Sequence, residues 1–307
     1  MASDFFLKFD DFHKFESFED AGEQVAHDLR HIGRNSVELG DGFLKIIQDG
    51  TLISGAGVSS ESVSPAALDI KFKHDDALIS HDFFKIGTDF LNTAEAQHKV
   101  DIKEIVIIKQ VDKASPILFS ETSDSGGGGG AGKVAADFAS YEADLNAIGT
   151  DFLKISPGIA DQPTETISLN FGAISVDYKE QSADLHKLSA DFIALARSAS
   201  DLKIRGLSDA AIKWSADAEA LAADYLKVSA DFQKISQDFA PDDRSSSAAG
   251  APTFNQVVLQ NPADFVTLAG DIKFMNADYK MLAGDTIKLT DAFESASHQL
   301  PAVQKTT

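Results

Sequence analysis

The sequence predicts an α+β chain, with a mixed β-barrel-like N-terminal part carrying inserted helices over residues 1–181 and an amphipathic, heptad-patterned helical extension over residues 182–307. Three observations predict it. Strand-like runs occur at residues 4–10, 101–111 and 165–178. Aspartate recurs at every seventh residue along several stretches. Composition changes near Gln181, from glycine-rich and β-branched segments to Ala/Asp/Ser-rich helical pattern. Charge divides at the same place, with 31 acids and 15 bases up to residue 182 and 17 and 12 after it.

The strand-like runs come first. In Asp4-Phe5-Phe6-Leu7-Lys8-Phe9, Phe5, Leu7 and Phe9 alternate with Phe6 and Lys8, as along a strand. Asp101 to Val111 is a β-branched run suited to a strand buried on both faces. From Thr166 to Tyr178, Ile167, Leu169 and Phe171 share one face while Ser168 and Asn170 take the other. After Gly172 the apolar set shifts phase to Ile174, Val176 and Tyr178, which predicts a bulge at Gly172-Ala173 in a curved sheet or barrel.

The aspartate repeat is a helical signal. It runs through Asp75, Asp82 and Asp89; Asp137, Asp144 and Asp151; Asp177, Asp184 and Asp191; Asp217, Asp224, Asp231 and Asp238; and Asp264, Asp271, Asp278 and Asp285. Its unit, Asp-Phe-x-Lys-Ile-Ser-x, is written out from Asp231 to Ser236. The aromatic and the aliphatic, three apart, form a hydrophobic seam, and Asp and Lys flank it, contributing about 0.2–0.5 kcal/mol per pair. Runs of a few heptads suit an intramolecular antiparallel bundle. The reading predicts that Leu188, Phe192, Tyr225, Val228, Phe232, Ile235, Phe265, Leu268, Tyr279 and Leu282 are buried together, while Asp224, Asp231 and Lys234 stay in water. Gly206 reads as a helix break, Ala240 to Pro252 as a linker, and Pro262 as a fresh helix start.

Three segments carry a resemblance. Val111-Asp112-Lys113-Ala114-Ser115-Pro116, continuing through Ile117-Leu118-Phe119, resembles the signature of the haemolysin-coregulated protein (Hcp) family, the tube proteins of type VI secretion. Asp161 to Phe171, with Thr164, Glu165, Leu169, Asn170 and Phe171, running on to Tyr178-Lys179-Glu180-Gln181, is similar to that family's last strand and the loop before it, and residues 4–10 to its first strand. The resemblance implies a β-barrel that forms homo-oligomeric rings, hexameric in that family, with a spike protein and effector cargo as partners. A helix beginning near Ala114 goes with it, since Asp112 or Ser115 can cap the first turn and Pro116 suits an early helical position. These residues are structural, and residues 182–307 lie outside the resemblance. The alternative is a structural or adhesive self-assembling protein whose heptad helices mediate association.

Several function classes are disfavoured. Cysteine is absent, which removes disulfides, thiolate metal sites and cysteine nucleophiles. A net charge of −21 repels phosphate backbones, so nucleic acid is not an expected partner. Asp4 stands where a signal peptide is basic, and no apolar run approaches the roughly 20 residues of a membrane span. The expectation is therefore a cytoplasmic chain that leaves by a signal-independent route and is not inserted in a membrane, and the resemblance implies that this is the type VI route. Gly127 to Lys133 spells the start of a phosphate loop, but Val134 replaces the hydroxyl that would hold magnesium, and a flexible linker explains the letters. His27 and His31, four apart, have no third ligand in spacing. The expectation is no enzyme, no cofactor and no metal.

Overall fold

The computed structural model describes residues 18–54, 65–114, 130–240 and 252–299. Every regular element among them is helical: α1 (Phe18–Ser54), α2 (Pro65–Ala114), α3 (Gly130–Ile155), a 3₁₀ turn (Ile159–Asp161), α4 (Thr164–Asp201), α5 (Arg205–Phe239), the short α6 (Phe254–Gln260) and α7 (Pro262–Gln299). The six long helices close into a ring in the order α1, α2, α3, α4, α5, α7 and back to α1. Neighbours run antiparallel, as successive cross-helix contacts show: Ser168 meets Ser236, Ser175 meets Ser229 and Ser189 meets Ser215.

The seven-residue unit builds this ring because each position in it has one destination. The two apolar positions point to the ring's centre. There Phe83, Phe152, Phe171, Tyr178, Phe232 and Phe239 pack with ring centroids about 5 to 6 Å apart, joining α2, α3, α4 and α5. Tyr225 and Tyr279 extend the stack to α7, and Phe43 brings in α1. One continuous core results, filled by side chains. Its enclosed cavity, lined by Leu29, Phe138, Leu188 and Trp214 among others, is about 20 Å³, room for one water. All ten seam residues expected to be buried are buried.

The small position of the unit, five after the aspartate, faces one neighbouring helix and lets it come close. Between α4 and α5 it is serine. Ser175 donates to the Ser229 carbonyl (2.8 Å) and Ser229 to that of Ser175 (2.6 Å), a reciprocal pair that Ser168 and Ser236 repeat one heptad away. Between α2 and α3 it is glycine: a Cβ on Gly87 would lie 2.8 Å from the Gly149 carbonyl oxygen. Between α1 and α7, Gly40 lies against Ala269 and Gly33 against Asn276.

The barrel expectation, and with it the Hcp resemblance, is overturned: there is no strand among the described residues. Residues 101–111 form part of α2, and 165–178 part of α4. In the second case Ile167, Phe171, Ile174 and Tyr178 are buried at steps of four, three and four, the period of a helix. Leu169, read as sharing their face, is 69% exposed, and the phase shift read as a bulge is the ordinary drift of a 3.6-residue repeat. Short apolar runs do not separate helix from strand by periodicity alone. The expected first strand at 4–10 lies outside the described residues.

The signature residues are placed differently as well. Val111, Asp112, Lys113 and Ala114 are the last residues of α2, so a helix ends at Ala114 instead of beginning there. Ser115 and Pro116 lie outside the described residues. Thr164 and Glu165 open α4, Asn170 is half-exposed, and Phe171 is wholly buried. Gln181, at the expected domain boundary, is a buried residue in the middle of α4.

Helix ends follow local chemistry. Pro262 begins α7 as expected. The break between α4 and α5 falls before Gly206, at Leu202 to Ile204, where Lys203 takes a left-handed φ of 63° and the Ile204 amide donates back to the Ala199 carbonyl. Gly158, with φ 68°, supplies the corresponding turn after α3.

Candidate functional site: the carboxyl seams

The aspartate of the unit faces the neighbour on the side opposite the small residue, and it faces another aspartate. Across α5 and α7, Asp217 meets Asp285, Asp224 meets Asp278, Asp231 meets Asp271 and Asp238 meets Asp264. Across α3 and α4, Asp137 meets Asp191, Asp144 meets Asp184 and Asp151 meets Asp177. Each step of seven up one helix matches a step of seven down its partner, so every rung has the same register. The expectation of wet aspartates fails: Asp224 is 5% exposed and Asp184 2%, and Asp231 is half-buried, while Lys234 is exposed as expected.

Facing carboxyls cannot both ionise cheaply in a half-buried seam. Burial, then the Asp271 carboxyl opposite, pushes Asp231 up to about 7. Burial with Asp184 and Glu180 does the same to Asp144, and burial with Asp151 to Asp177, each to about 7. Asp191, Asp217, Asp238 and Asp278 are raised to about 6, in each case chiefly by burial and also by the carboxyl facing them. Asp285 goes the other way. Burial opposes its charge, but hydrogen bonds from Asp217, Lys213 and Lys288 hold it at about 2.

Hydrogen bonding points to the same state. Asp177, Asp184, Asp191, Asp217, Asp231 and Asp238 each bury an Oδ2 that receives no N–H or hydroxyl donor. The donor available to such a rung is the acid proton of one of its two carboxyls. Lysines complete most rungs: Lys154 donates to Asp151, Lys187 to Asp184 (2.5 Å), Lys227 to Asp224 (2.6 Å) and Lys234 to Asp264. One lysine, one proton and two carboxyls make a neutral rung.

The third seam, between α1 and α2, is built differently. Asn35 stands where the repeat would place an aspartate and donates to Asp89, which burial raises to about 6. Lys45 reaches across to Asp75, Lys71 to Asp49 and Lys85 to Glu38 (2.7 Å), while Lys85 also holds Asp82 of its own helix (3.0 Å).

The other sequence candidates carry no constellation. His27 and His31 lie with ring centroids 4.1 Å apart, tilted by 32°, on the outer face of α1. Asp28 holds the His27 ring at 3.1 Å, Arg34 donates to His31 at 3.1 Å, and burial with the nearby His27 and Arg34 lowers the His31 pKa. They open onto a groove with Arg30, Asn276 and Lys280. Among the described residues, no three histidines or carboxylates gather as a metal would require. Lys133, of the phosphate-loop letters, is engaged by Asp137 (2.8 Å) and Asp191 (2.6 Å), and residues 127–129 lie outside the described residues. No described helix is long and apolar enough to cross a membrane.

Sequence reasoning found the aspartates and missed their partners. The signal was present in the unit itself, whose small residue and aspartate flank the apolar pair on opposite sides, each pointing to a different neighbour. The chain matches no family model, and neither curated proteins nor solved structures yield a match.

Proposed function

We propose that this chain is a structural, non-catalytic protein that associates with further copies of itself through apolar rows on its outer surface. The observation that carries the reading is the spacing of those rows. Leu169 and Val176 on α4, and Phe274 and Met281 on α7, stand seven residues apart and face outward, with Leu169 and Phe274 each 69% exposed. On α2, Ile70 and Phe84 stand two such steps apart and are 69% and 52% exposed. Exposed aromatics and aliphatics in register mark interaction sites more often than isolated ones do. Their step equals that of the internal seams, so a helix of a second copy packs on them with the geometry already used inside the ring.

The acid repeat supports the same reading, because its carboxyls are engaged with one another and with lysines between the helices. The resemblance that suggested a secretion tube no longer supports that role. Light scattering of the full chain over a wide concentration range tests the proposal. We expect a mass above the 32.8 kDa of one chain at high concentration, returning to one chain in the double variant Phe274→Asp/Met281→Asp or Leu169→Asp/Val176→Asp. A single-chain mass at every concentration and moderate ionic strength overturns it.

A further inference from the structure

Two of the interhelical seams set carboxyl against carboxyl at every rung, whereas between α1 and α2 Asn35 and lysines face the aspartates, of which Asp89 is raised to about 6. The serine and glycine contacts themselves are between neutral groups, and the titratable pairs beside them set a base against an acid: His186 with Glu219 (2.6 Å) across α4 and α5, and Lys273 with Asp41 (3.1 Å) across α1 and α7. The seam between α3 and α4 holds Asp137, Asp144 and Asp151 opposite Asp177, Glu180, Asp184 and Asp191, with Lys133, Lys154 and Lys187 at its edges. The seam between α5 and α7 holds Asp217, Asp224, Asp231 and Asp238 opposite Asp264, Asp271, Asp278 and Asp285, with Lys213, Lys227, Lys234 and Lys288 beside them. Carboxyls outnumber lysines in both.

We propose that these two seams are proton-operated clasps: in mild acid each rung is closed by a hydrogen bond between facing carboxyls, and at alkaline pH their mutual repulsion loosens the bundle along these lines, while the serine and glycine seams keep their helix pairs together. The geometry carries this. Within each seam the rungs share one register, and six of the aspartates bury an oxygen that receives no N–H or hydroxyl donor.

The direction follows from linkage. A carboxyl whose folded pKa is raised binds its proton more tightly folded than unfolded, so its contribution is full below the unfolded value of roughly 4 and is lost as pH rises through the folded value. For Asp144, Asp177 and Asp231 that loss centres near 7, and for Asp191, Asp217, Asp238 and Asp278 near 6. Asp285 acts oppositely, and its contribution falls away only in strong acid. Most acidic proteins gain stability toward neutrality as ion-paired carboxylates form; this bundle loses it.

The rung of Asp231 and Asp271 is the sharpest test, because neither aspartate has a lysine in hydrogen-bond contact. Asparagine mimics a protonated carboxyl, donating without the need for a proton. The experiment is chemical denaturation of the full chain at pH 5, 6, 7 and 8 and fixed ionic strength, for the native sequence, Asp231→Asn and Asp144→Asn. The native midpoint falls from pH 5 to pH 8. Each variant matches it at pH 5, exceeds it at pH 8 and has a flatter profile. Infrared spectroscopy of the folded native chain adds a readout independent of any variant: a carboxylic-acid C=O band persists at pH 6, where solvated carboxyls are ionised, and disappears by pH 8. A native midpoint that is flat or rises over this range, variants less stable than the native chain at pH 8, or no acid band at pH 6 each overturns the proposal. If one variant does not fold, the other and the infrared band decide.

Discussion

Replacing Gly87 by alanine tests the closest approach in the ring. A Cβ at this position would sit 2.8 Å from the Gly149 carbonyl oxygen and 2.9 Å from Leu153 Cγ, whereas ordinary contact begins at 3.4 Å. Leucine can rotate away, but the carbonyl belongs to the backbone of α3, so α2 and α3 must separate by about 0.6 Å along their seam. That displacement loosens Phe90 against Phe152, whose centroids are 6.0 Å apart. Overpacking of this kind costs about 1–3 kcal/mol, and the better helix propensity of alanine returns about 1 kcal/mol. We expect a net loss of up to about 2 kcal/mol for Gly87→Ala and the same for Gly149→Ala, whose Cβ meets the Gly87 carbonyl at the same 2.8 Å. Once the helices have parted for one methyl group, the second fits more easily, so the double variant should lose less than the sum of the singles, by at least about 0.5 kcal/mol. The control is α7, where a Cβ on Gly270 or Gly284 meets nothing within 4 Å. There alanine should stabilise by about 0.5–1 kcal/mol. Urea denaturation followed by circular dichroism measures all five variants, with an unchanged slope required before midpoints are compared. Gly87→Ala at or above native stability would refute the close crossing.

Phe232→Ala should cost about 3–5 kcal/mol in the same assay, since Phe232 is 1% exposed and packs on Phe152, Phe171 and Tyr178. The buried hydroxyls of Tyr225 and Tyr279 are 2.6 Å apart, so Tyr225→Phe leaves the other without its partner and should cost about 1–3 kcal/mol. The double variant Tyr225→Phe/Tyr279→Phe should be more stable than Tyr225→Phe alone, because no orphaned hydroxyl remains. Lys203→Gly should stabilise by about 1 kcal/mol by removing a Cβ from a left-handed residue at the end of α4, and an unchanged or lower denaturation midpoint would contradict that reading.

What the amino-acid order by itself determined is everything that has a short period. The unit written at Asp231 to Ser236 specifies a helix, the two positions that face a core, and packing within an antiparallel bundle. The buried set from Leu188 to Leu282 and the helix start at Pro262 were legible for that reason, since each depends on residues within a turn or two of itself. Tertiary structure decided whatever depends on which helix lies alongside. Nothing local to Asp231 shows that Asp271, forty residues away, stands opposite it, yet that neighbour turns a solvated flank into a proton-binding rung. Likewise Gly172, which resembles a bulge in a strand, lies inside α4 where a Cβ would touch Ser236 Oγ at 3.2 Å, and the value of having no side chain there is set by α5. The runs at 101–111 and 165–178 resemble strands because β-branched residues and alternation over a few positions are compatible with both periods. Only the burial of Ile167, Phe171, Ile174 and Tyr178 against surrounding helices selects between them, since a short isolated helix is marginal in water and its packed face stabilises it.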